Sequence, residues 1–153
     1  MHDTTLTLKI ERAISELRRG GKIVISDSNS GSSVLLMASE LIQENTVQEF
    51  FERSLSRPNI ILSNNRCNAI GIKVTNQSCS ILIDKDWTMN DILSLCMPLT
   101  GHEIPIINGV IAERNESIVF YCLLILRQSR LLPAGLMSII SNVEPENLHQ
   151  WAF

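Results

Sequence analysis

The chain has 153 residues, of which 44% are hydrophobic and 19% are charged. This is the length of one ordinary domain with a core of its own, and the composition excludes disordered and fibrous chains. The formal net charge is −3, and aromatic residues make up only 5%. We therefore expect neither the basic surface nor the stacking aromatics of a nucleic-acid-binding protein.

The sequence also indicates a compartment. Residues 1–5 are polar and show no basic segment followed by an apolar one, so we expect no signal peptide. The longest apolar run, Ile118–Leu126, is far shorter than the roughly 20 residues that span a bilayer, so we expect no membrane association. No two cysteines form a C-x-x-C pair, which predicts reduced thiols, mostly packed in the core, and a cytoplasmic protein. The cysteines are Cys67, Cys79, Cys96 and Cys122.

The first half of the chain alternates helical and extended patterns. Apolar residues recur at helical spacing before the Gly20-Gly21 pair, which is typical of a helix end. Thr46 and Glu49 form a capping-box pattern. In chain order we predict a helix at 6–17, a strand at 23–25, a polar loop at 26–33, an apolar segment at 34–41 that fits strand or helix, and a helix starting at Thr46.

The second half contains the most apolar helix of the chain. Residues 116–131 are apolar almost all round, which predicts a central helix, and 113–116 are interpreted as its solvated start. The mixture of helices and strands in one domain indicates an α/β or α+β fold. The other predicted elements are strands at 59–62, 79–83 and 136–140, helical segments at 65–70 and 87–95, an irregular stretch at 98–105, and a tail from 143.

Five segments, in this order, resemble 3,4-dihydroxy-2-butanone 4-phosphate synthase, an enzyme of riboflavin biosynthesis. They are 10–21 with the following KIVISDS, LLMASELI at 35–42, NNRCNAIGI at 64–72, GHEIPI at 101–106 and PAGLMSIISN at 133–142. The resemblance implies a single-domain, compact α/β sandwich over residues 1–142, with a C-terminal tail at 143–153. It also implies a homodimer with sites at the subunit interface.

The family enzyme converts ribulose 5-phosphate, uses a divalent metal that is usually Mg²⁺, and releases formate. The resemblance assigns a metal-binding role to His102, whose Gly-His motif is intact. It places the metal-binding Glu near Ser30, whose hydroxyl is a poor replacement, the Asp on Val34 and the phosphate-binding Arg on Leu99. It places the catalytic Glu on Phe120; a slip by one turn would bring Glu113 or Glu116 there instead, which the apolar run disfavours. Because Mg²⁺ requires hard oxygen ligands, we expect neither Mg²⁺ nor Mn²⁺ unless residual activity remains.

Two residues are candidate catalytic groups. His102 is a candidate acid/base or metal ligand without its carboxylate partner, and the alternative is a turn histidine kept for a structural hydrogen bond. Cys67 follows Arg66 and is a weaker candidate as an activated thiolate. The alternative for Cys67 is simple packing in the core.

Small polar residues in two loops are candidate substrate-binding groups. The 26–33 loop could hold a cation or cradle an anion through its N–H groups, and the alternative is an ordinary surface loop. Two more polar residues lie near His102: one directly precedes the GHEIPI segment and the other follows the histidine. The candidates are Asp27, Ser28, Ser30, Thr100 and Glu103.

The sequence leaves three hypotheses for function. The first is a homodimeric binding or structural pseudoenzyme that retains the synthase fold and a small-molecule pocket. The second is a repurposed enzyme that acts on a different small substrate through His102. The third is a residual riboflavin-pathway synthase, a Mg²⁺-dependent lyase with substituted ligands.

Overall fold

The computed structural model describes residues 4–27, 31–53, 57–73, 78–105, 107, 111–114 and 117–140. The helices are α1 (Thr4–Arg18), α2 (Glu44–Arg53), α3 (Asn64–Ala69), α4 (Met89–Cys96) and α5 (Ser117–Gln128), with a 3-10 turn at Ser39–Leu41. The strands are β1 (Lys22–Asp27), β2 (Ser32–Ala38), β3 (Asn59–Leu62), β4 (Ser78–Leu82), β5 (Ile111–Arg114) and β6 (Ala134–Ile140).

The described strands form one antiparallel sheet in the order β1-β2-β6-β3-β4-β5. Strand β6 lies between β2 and β3, so that Met137 is opposite Leu36 on one side and Asn59 on the other. The β1–β2 hairpin and the β3–β4–β5 meander are therefore joined only through β6 among the described strands.

Both faces of the sheet are covered by helices. Along β2, Leu36 packs into a cluster with α1 and α5, whereas Leu35 and Met37 point into a second cluster with α2, α3 and α4. Successive strand residues point to opposite faces, so a strand buried on both sides is apolar at nearly every position. This explains the continuous apolar strands, and the three layers confirm the predicted α/β sandwich.

Helix α5 approaches the sheet closely at Gly135. A Cβ atom there would lie 2.9 Å from Cδ1 of Leu36, a distance that real Cβ atoms essentially never show, and 3.1 Å from Cδ1 of Leu126, which is tighter than most real contacts. The composition of α5 predicted a helix in the centre of the protein, and this prediction is wrong. The helix packs through one side and leaves Phe120 and Tyr121 exposed.

Three local predictions are wrong at their edges. Strand β5 occupies 111–114, where part of a solvated helix start was predicted, because pairing with β4 decides the conformation. Helix α2 begins two residues before Thr46, whose hydroxyl instead accepts from the backbone N–H of Gln43 at 2.9 Å. The two ends of the predicted 26–33 loop belong to strands β1 and β2, since Ser26 pairs with Ser33 and Asp27 with Ser32. The predicted 143–153 tail lies outside the described residues.

The prediction of four reduced thiols is wrong for two of them. Cys67 of α3 and Cys79 of β4 form a disulfide, and both side chains are fully buried. Cys96 and Cys122 are free and buried, as predicted. Burial raises the pKa of the Cys96 thiol to about 11 and that of Cys122 to about 12, so both remain protonated and unreactive at neutral pH.

Helices α1 to α5 have between 6 and 15 residues each. Within the described ranges, none of them combines the length and the apolar character that crossing a bilayer requires.

The disulfide predicts a reductant-sensitive stability. Reduction reopens a link between residues 12 positions apart, which we expect to lower the free energy of unfolding by about 2 to 3 kcal/mol. Urea denaturation with and without dithiothreitol measures the difference. The Cys67→Ala/Cys79→Ala variant is the control and should be insensitive to dithiothreitol. Equal stability of the unmodified protein in both conditions would contradict the assignment.

Candidate functional site

The start of helix α4 is held by a reciprocal pair of hydrogen bonds. The backbone N–H of Asp91 donates to Oγ1 of Thr88 at 3.1 Å, and the backbone N–H of Thr88 donates to Oδ2 of Asp91 at 2.8 Å. This capping box satisfies two N–H groups that a helix start otherwise leaves without partners. It also fixes the carboxylate of Asp91 in one orientation.

His102 reaches the same carboxylate from a neighbouring turn. The backbone N–H of His102 donates to the carbonyl of Leu99 at 3.3 Å, across a turn in which Gly101 has a φ of 75°. A positive φ at the third turn position favours glycine, which is why the Gly-His pair occurs here. The ring Nε2 of His102 lies 3.0 Å from Oδ1 of Asp91.

The histidine–aspartate pair is partly shielded from water, with side-chain exposures of 28% for His102 and 23% for Asp91. The backbone N–H of Thr88 stabilises the carboxylate and lowers the pKa of Asp91 below its ordinary value of 3.8, with His102 adding to the effect. Asp91 is therefore ionised at neutral pH and accepts the Nε2 proton of the histidine.

A carboxylate on one ring nitrogen fixes the tautomer and the orientation of a histidine. With Nε2 bound to Asp91, Nδ1 is the nitrogen available for acid/base chemistry. The same bond also ties the 99–102 turn to α4, which is the structural role that the sequence gave as the alternative. Asp91 was not among the predicted site residues. The Thr88-x-x-Asp91 spacing is the sequence signal from which its role in the capping box could have been predicted.

The predicted substrate-binding residues fall into two separate places. Thr100 and Glu103 flank His102 in the turn, and both are exposed. Asp27 ends strand β1 at the edge of the sheet. Ser28 and Ser30 lie outside the described residues, so their predicted role stays a prediction. In the described part of the chain, no three or more His, Cys, Asp or Glu side chains are grouped so that they could hold a metal ion.

The interpretation of Cys67 as an activated thiolate is wrong, because its sulfur is bonded to Cys79. Arg66 also has a different role from activating a thiol. Its Nε donates to the carbonyl of Leu95 at 2.9 Å, and its Nη2 donates to that of Ser94 at 2.8 Å. These carbonyls belong to the last turn of α4, where a cation complements the helix dipole.

Two positions that the resemblance assigns to carboxylates hold apolar side chains, Val34 and Phe120. Val34 is only 1% exposed and packs among the apolar residues between the sheet and helices α1 and α5. Phe120, at the position of the catalytic Glu, is 58% exposed on α5. The hydrocarbon side chain of Val34 supplies no ligand for Mg²⁺, so it does not fit the metal-binding role that the resemblance gives to its position.

Solved structures of one class of enzyme share this fold. The chain is similar to 3,4-dihydroxy-2-butanone 4-phosphate synthase of Candida albicans, with a TM-score of 0.65 and 19% identity, over 90% of this chain and 81% of that one. A cation-free structure of the same kind of enzyme gives a TM-score of 0.67 and 16% identity, over 89% and 78%. A two-domain synthase, RibBX from A. baumannii, gives 0.64 and 13%, over 93% of this chain and 52% of that one.

Comparison by sequence gives no corresponding match. No protein-family model matches the chain, and no curated protein matches it. The structural likeness confirms the resemblance that the sequence motifs indicate: the chain has the fold of 3,4-dihydroxy-2-butanone 4-phosphate synthase.

The capping role of Asp91 predicts a pH-dependent stability effect. Asp91→Ala removes the acceptor for Thr88 and His102 and should cost about 1 kcal/mol at pH 7. Because the folded-state pKa is depressed, this contribution is present above the ordinary value of 3.8 and is lost as the pH falls through the folded-state pKa. Urea denaturation of the unmodified protein and of Asp91→Ala, at pH 7 and at a series of pH values below 3.8, should show the difference in their stability shrinking as the pH falls.

The exposed Asp86 provides the matched control for this measurement. Asp86→Ala should change the free energy of unfolding by less than about 0.5 kcal/mol, as is usual for surface substitutions. An Asp91→Ala deficit that is no larger than that of Asp86→Ala at pH 7 would contradict the assignment.

Proposed function

We propose that this chain is a divergent 3,4-dihydroxy-2-butanone 4-phosphate synthase-like protein without the ribulose 5-phosphate reaction. It acts as a homodimeric binding or structural pseudoenzyme. The fold is that of the synthases, whereas the side chains at three site positions have changed from charged to apolar. The protein retains the α/β sandwich and has a function other than the synthase reaction.

The surroundings of Val34 are the observation that carries this proposal. The resemblance places a metal-binding Asp at this position, and here the side chain is buried in the apolar layer between the sheet and α1 and α5. An ionised carboxylate in such surroundings is strongly disfavoured without a partner. Packing of this kind supports a site converted to core, because apolar replacement of a functional polar group stabilises the fold.

The pair of His102 and Asp91 favours a second candidate function. A histidine oriented by a carboxylate is a common acid/base arrangement. The alternative is therefore a repurposed enzyme that acts on a different small substrate through His102. A residual synthase is the third hypothesis, and formate release distinguishes it from the other two.

Purified protein incubated with ribulose 5-phosphate and Mg²⁺ should release no formate above the level of a protein-free sample. An active synthase assayed in parallel is the positive control, and His102→Ala is the matched variant. Formate release that is lost in His102→Ala would contradict the pseudoenzyme proposal and establish a residual synthase. Turnover of another substrate with the same dependence on His102 would favour the repurposed enzyme.

Exposed apolar side chains on one face of the molecule support a homodimer. Helices α1 and α5 pack against each other on the same side of the sheet. Phe120 and Tyr121 of α5 are exposed and form an edge-to-face pair with ring centroids 5.8 Å apart, and Leu6 of α1 is also exposed. Aromatic side chains are the usual anchors of protein interfaces. A second copy of the chain, related by a two-fold axis, would cover these residues in both subunits.

Light scattering after size-exclusion chromatography should give a mass of about twice 17.2 kDa. Phe120→Glu should convert the protein to a monomer, since it places a charge on the interface while replacing an exposed side chain that the fold does not need. Gln128→Glu, an exposed change on the same helix, is the control and should leave the dimer intact. A monomeric unmodified protein at micromolar concentration would overturn the dimer.

We further propose a cytoplasmic location. The free thiols of Cys96 and Cys122 support it. The disulfide between Cys67 and Cys79 is the opposing observation, because disulfides are uncommon in reducing compartments. Both of its cysteines are fully buried, which limits the access of cellular thiols to the bond.

A further inference from the structure

A cavity of about 510 Å³ opens between helix α2 and the segment that leads into α4. Its wall is mostly apolar. Val47 and Phe51 line it from α2, Trp87 lines it from the segment before α4, and Met89 and Ile92 line it from the start of α4. Ile92 belongs to the larger core cluster and the other four side chains pack against it, so the cavity borders the core.

The size and lining of this cavity are those of a small-molecule site. Such sites typically measure about 300 to 1,000 Å³ and combine apolar walls with a few polar groups that orient the ligand. A phosphorylated sugar is a poor match for this cavity, because its phosphate would meet two carboxylates, Glu44 and Asp84, against the single ammonium of Lys85. The cavity therefore suits a ligand with an apolar body.

Three charged side chains line the same cavity, two of them acidic. Glu44 comes from the first turn of α2, and Asp84 and Lys85 come from the segment before α4. The backbone N–H of Asp86 donates to Oδ1 of Asp84 at 2.9 Å, which holds the Asp84 carboxylate in place. Two carboxylates and one ammonium give the lining a net negative charge, which favours a cation.

We propose that this cavity binds an amphipathic organic cation, an ammonium group carried on an aromatic or alkyl body. The body packs on Val47, Phe51 and Met89, and the ammonium lies toward Glu44 and Asp84. The indole of Trp87, which lines the same space, adds the attraction of an aromatic ring for a cation. This proposal goes beyond the proposed function and is independent of whether the synthase reaction is lost.

Tryptophan fluorescence gives a direct test. The chain has two tryptophans, so Trp151→Phe leaves Trp87 as the only one. This full-length variant is titrated at pH 7 with phenylbutylamine, phenylbutanol and phenylbutyrate, which have one shape and differ in charge. Isothermal titration calorimetry of the unmodified protein confirms the affinities. The amine should bind at least about fivefold more tightly than the alcohol, and the carboxylate should bind most weakly.

The charge preference should depend on the two carboxylates. Glu44→Gln/Asp84→Asn should reduce the affinity for the amine about fivefold and leave that for the alcohol unchanged. Asparagine at 84 still accepts from the N–H of Asp86, so the segment keeps its conformation. Glu11→Gln, an exposed change on α1, is the matched control and should alter neither affinity.

Two outcomes would overturn the proposal. One is equal affinity for the three compounds, or a preference for phenylbutyrate, which would show a cavity that does not select cations. The other is no saturable binding of any of them. Because none of these measurements involves formate release, their failure leaves the pseudoenzyme proposal standing.

Discussion

The insertion of β6 between β2 and β3 is the constraint on which the rest of the structure depends. It joins the hairpin and the meander into one sheet, and its side chains enter both apolar layers: Leu136 one and Met137 the other. Gly135 on the same strand lets α5 lie against the sheet. These three structural roles of β6 explain why the uncharged PAG segment at 133–135 is among the motifs that the chain shares with the synthases.

Helix α4 holds the candidate site in position. Its first turn is capped by Asp91 and Thr88, and the carbonyls of its last turn are bound by the guanidinium of Arg66. An anion at the start and a cation at the end both complement the helix dipole. The helix is thus fixed at both ends, and His102 is positioned by a carboxylate that is already held in place. The orientation of the His102–Asp91 pair therefore depends on the position of α4.

Much of the fold could be predicted from the sequence, because its local signals agree with the tertiary structure. The strand at 59–62 follows Pro58 and is wholly apolar after Asn59, and its predicted bounds are those of β3. Strand β5 was missed because IAER has too few apolar residues to show an alternation, and its conformation comes from pairing with β4. The Cys67–Cys79 bond joins a helix to a strand, which the spacing of the two cysteines does not reveal.

The candidate site was predicted less well, for a different physical reason. His102 was found because the Gly-His motif is local. Asp91 was not found, because a comparison with the synthase pattern looks for the residues of that pattern. The contact between Asp91 and His102 forms only when the 99–102 turn folds back on α4. The cavity beside α2 likewise brings together residues from two distant segments, so no single motif marks it.

The central place of β6 also has a consequence for how the chain reaches its native state. Met137 pairs with Leu36, about a hundred residues earlier in the chain, so the contacts that complete the sheet are strongly non-local. Closing such a long loop costs entropy before any pairing energy is gained, and folds of high contact order form slowly. Until β6 inserts, the inner edges of β2 and β3 are apolar and unpaired, which is the state in which a nascent chain is most prone to aggregate.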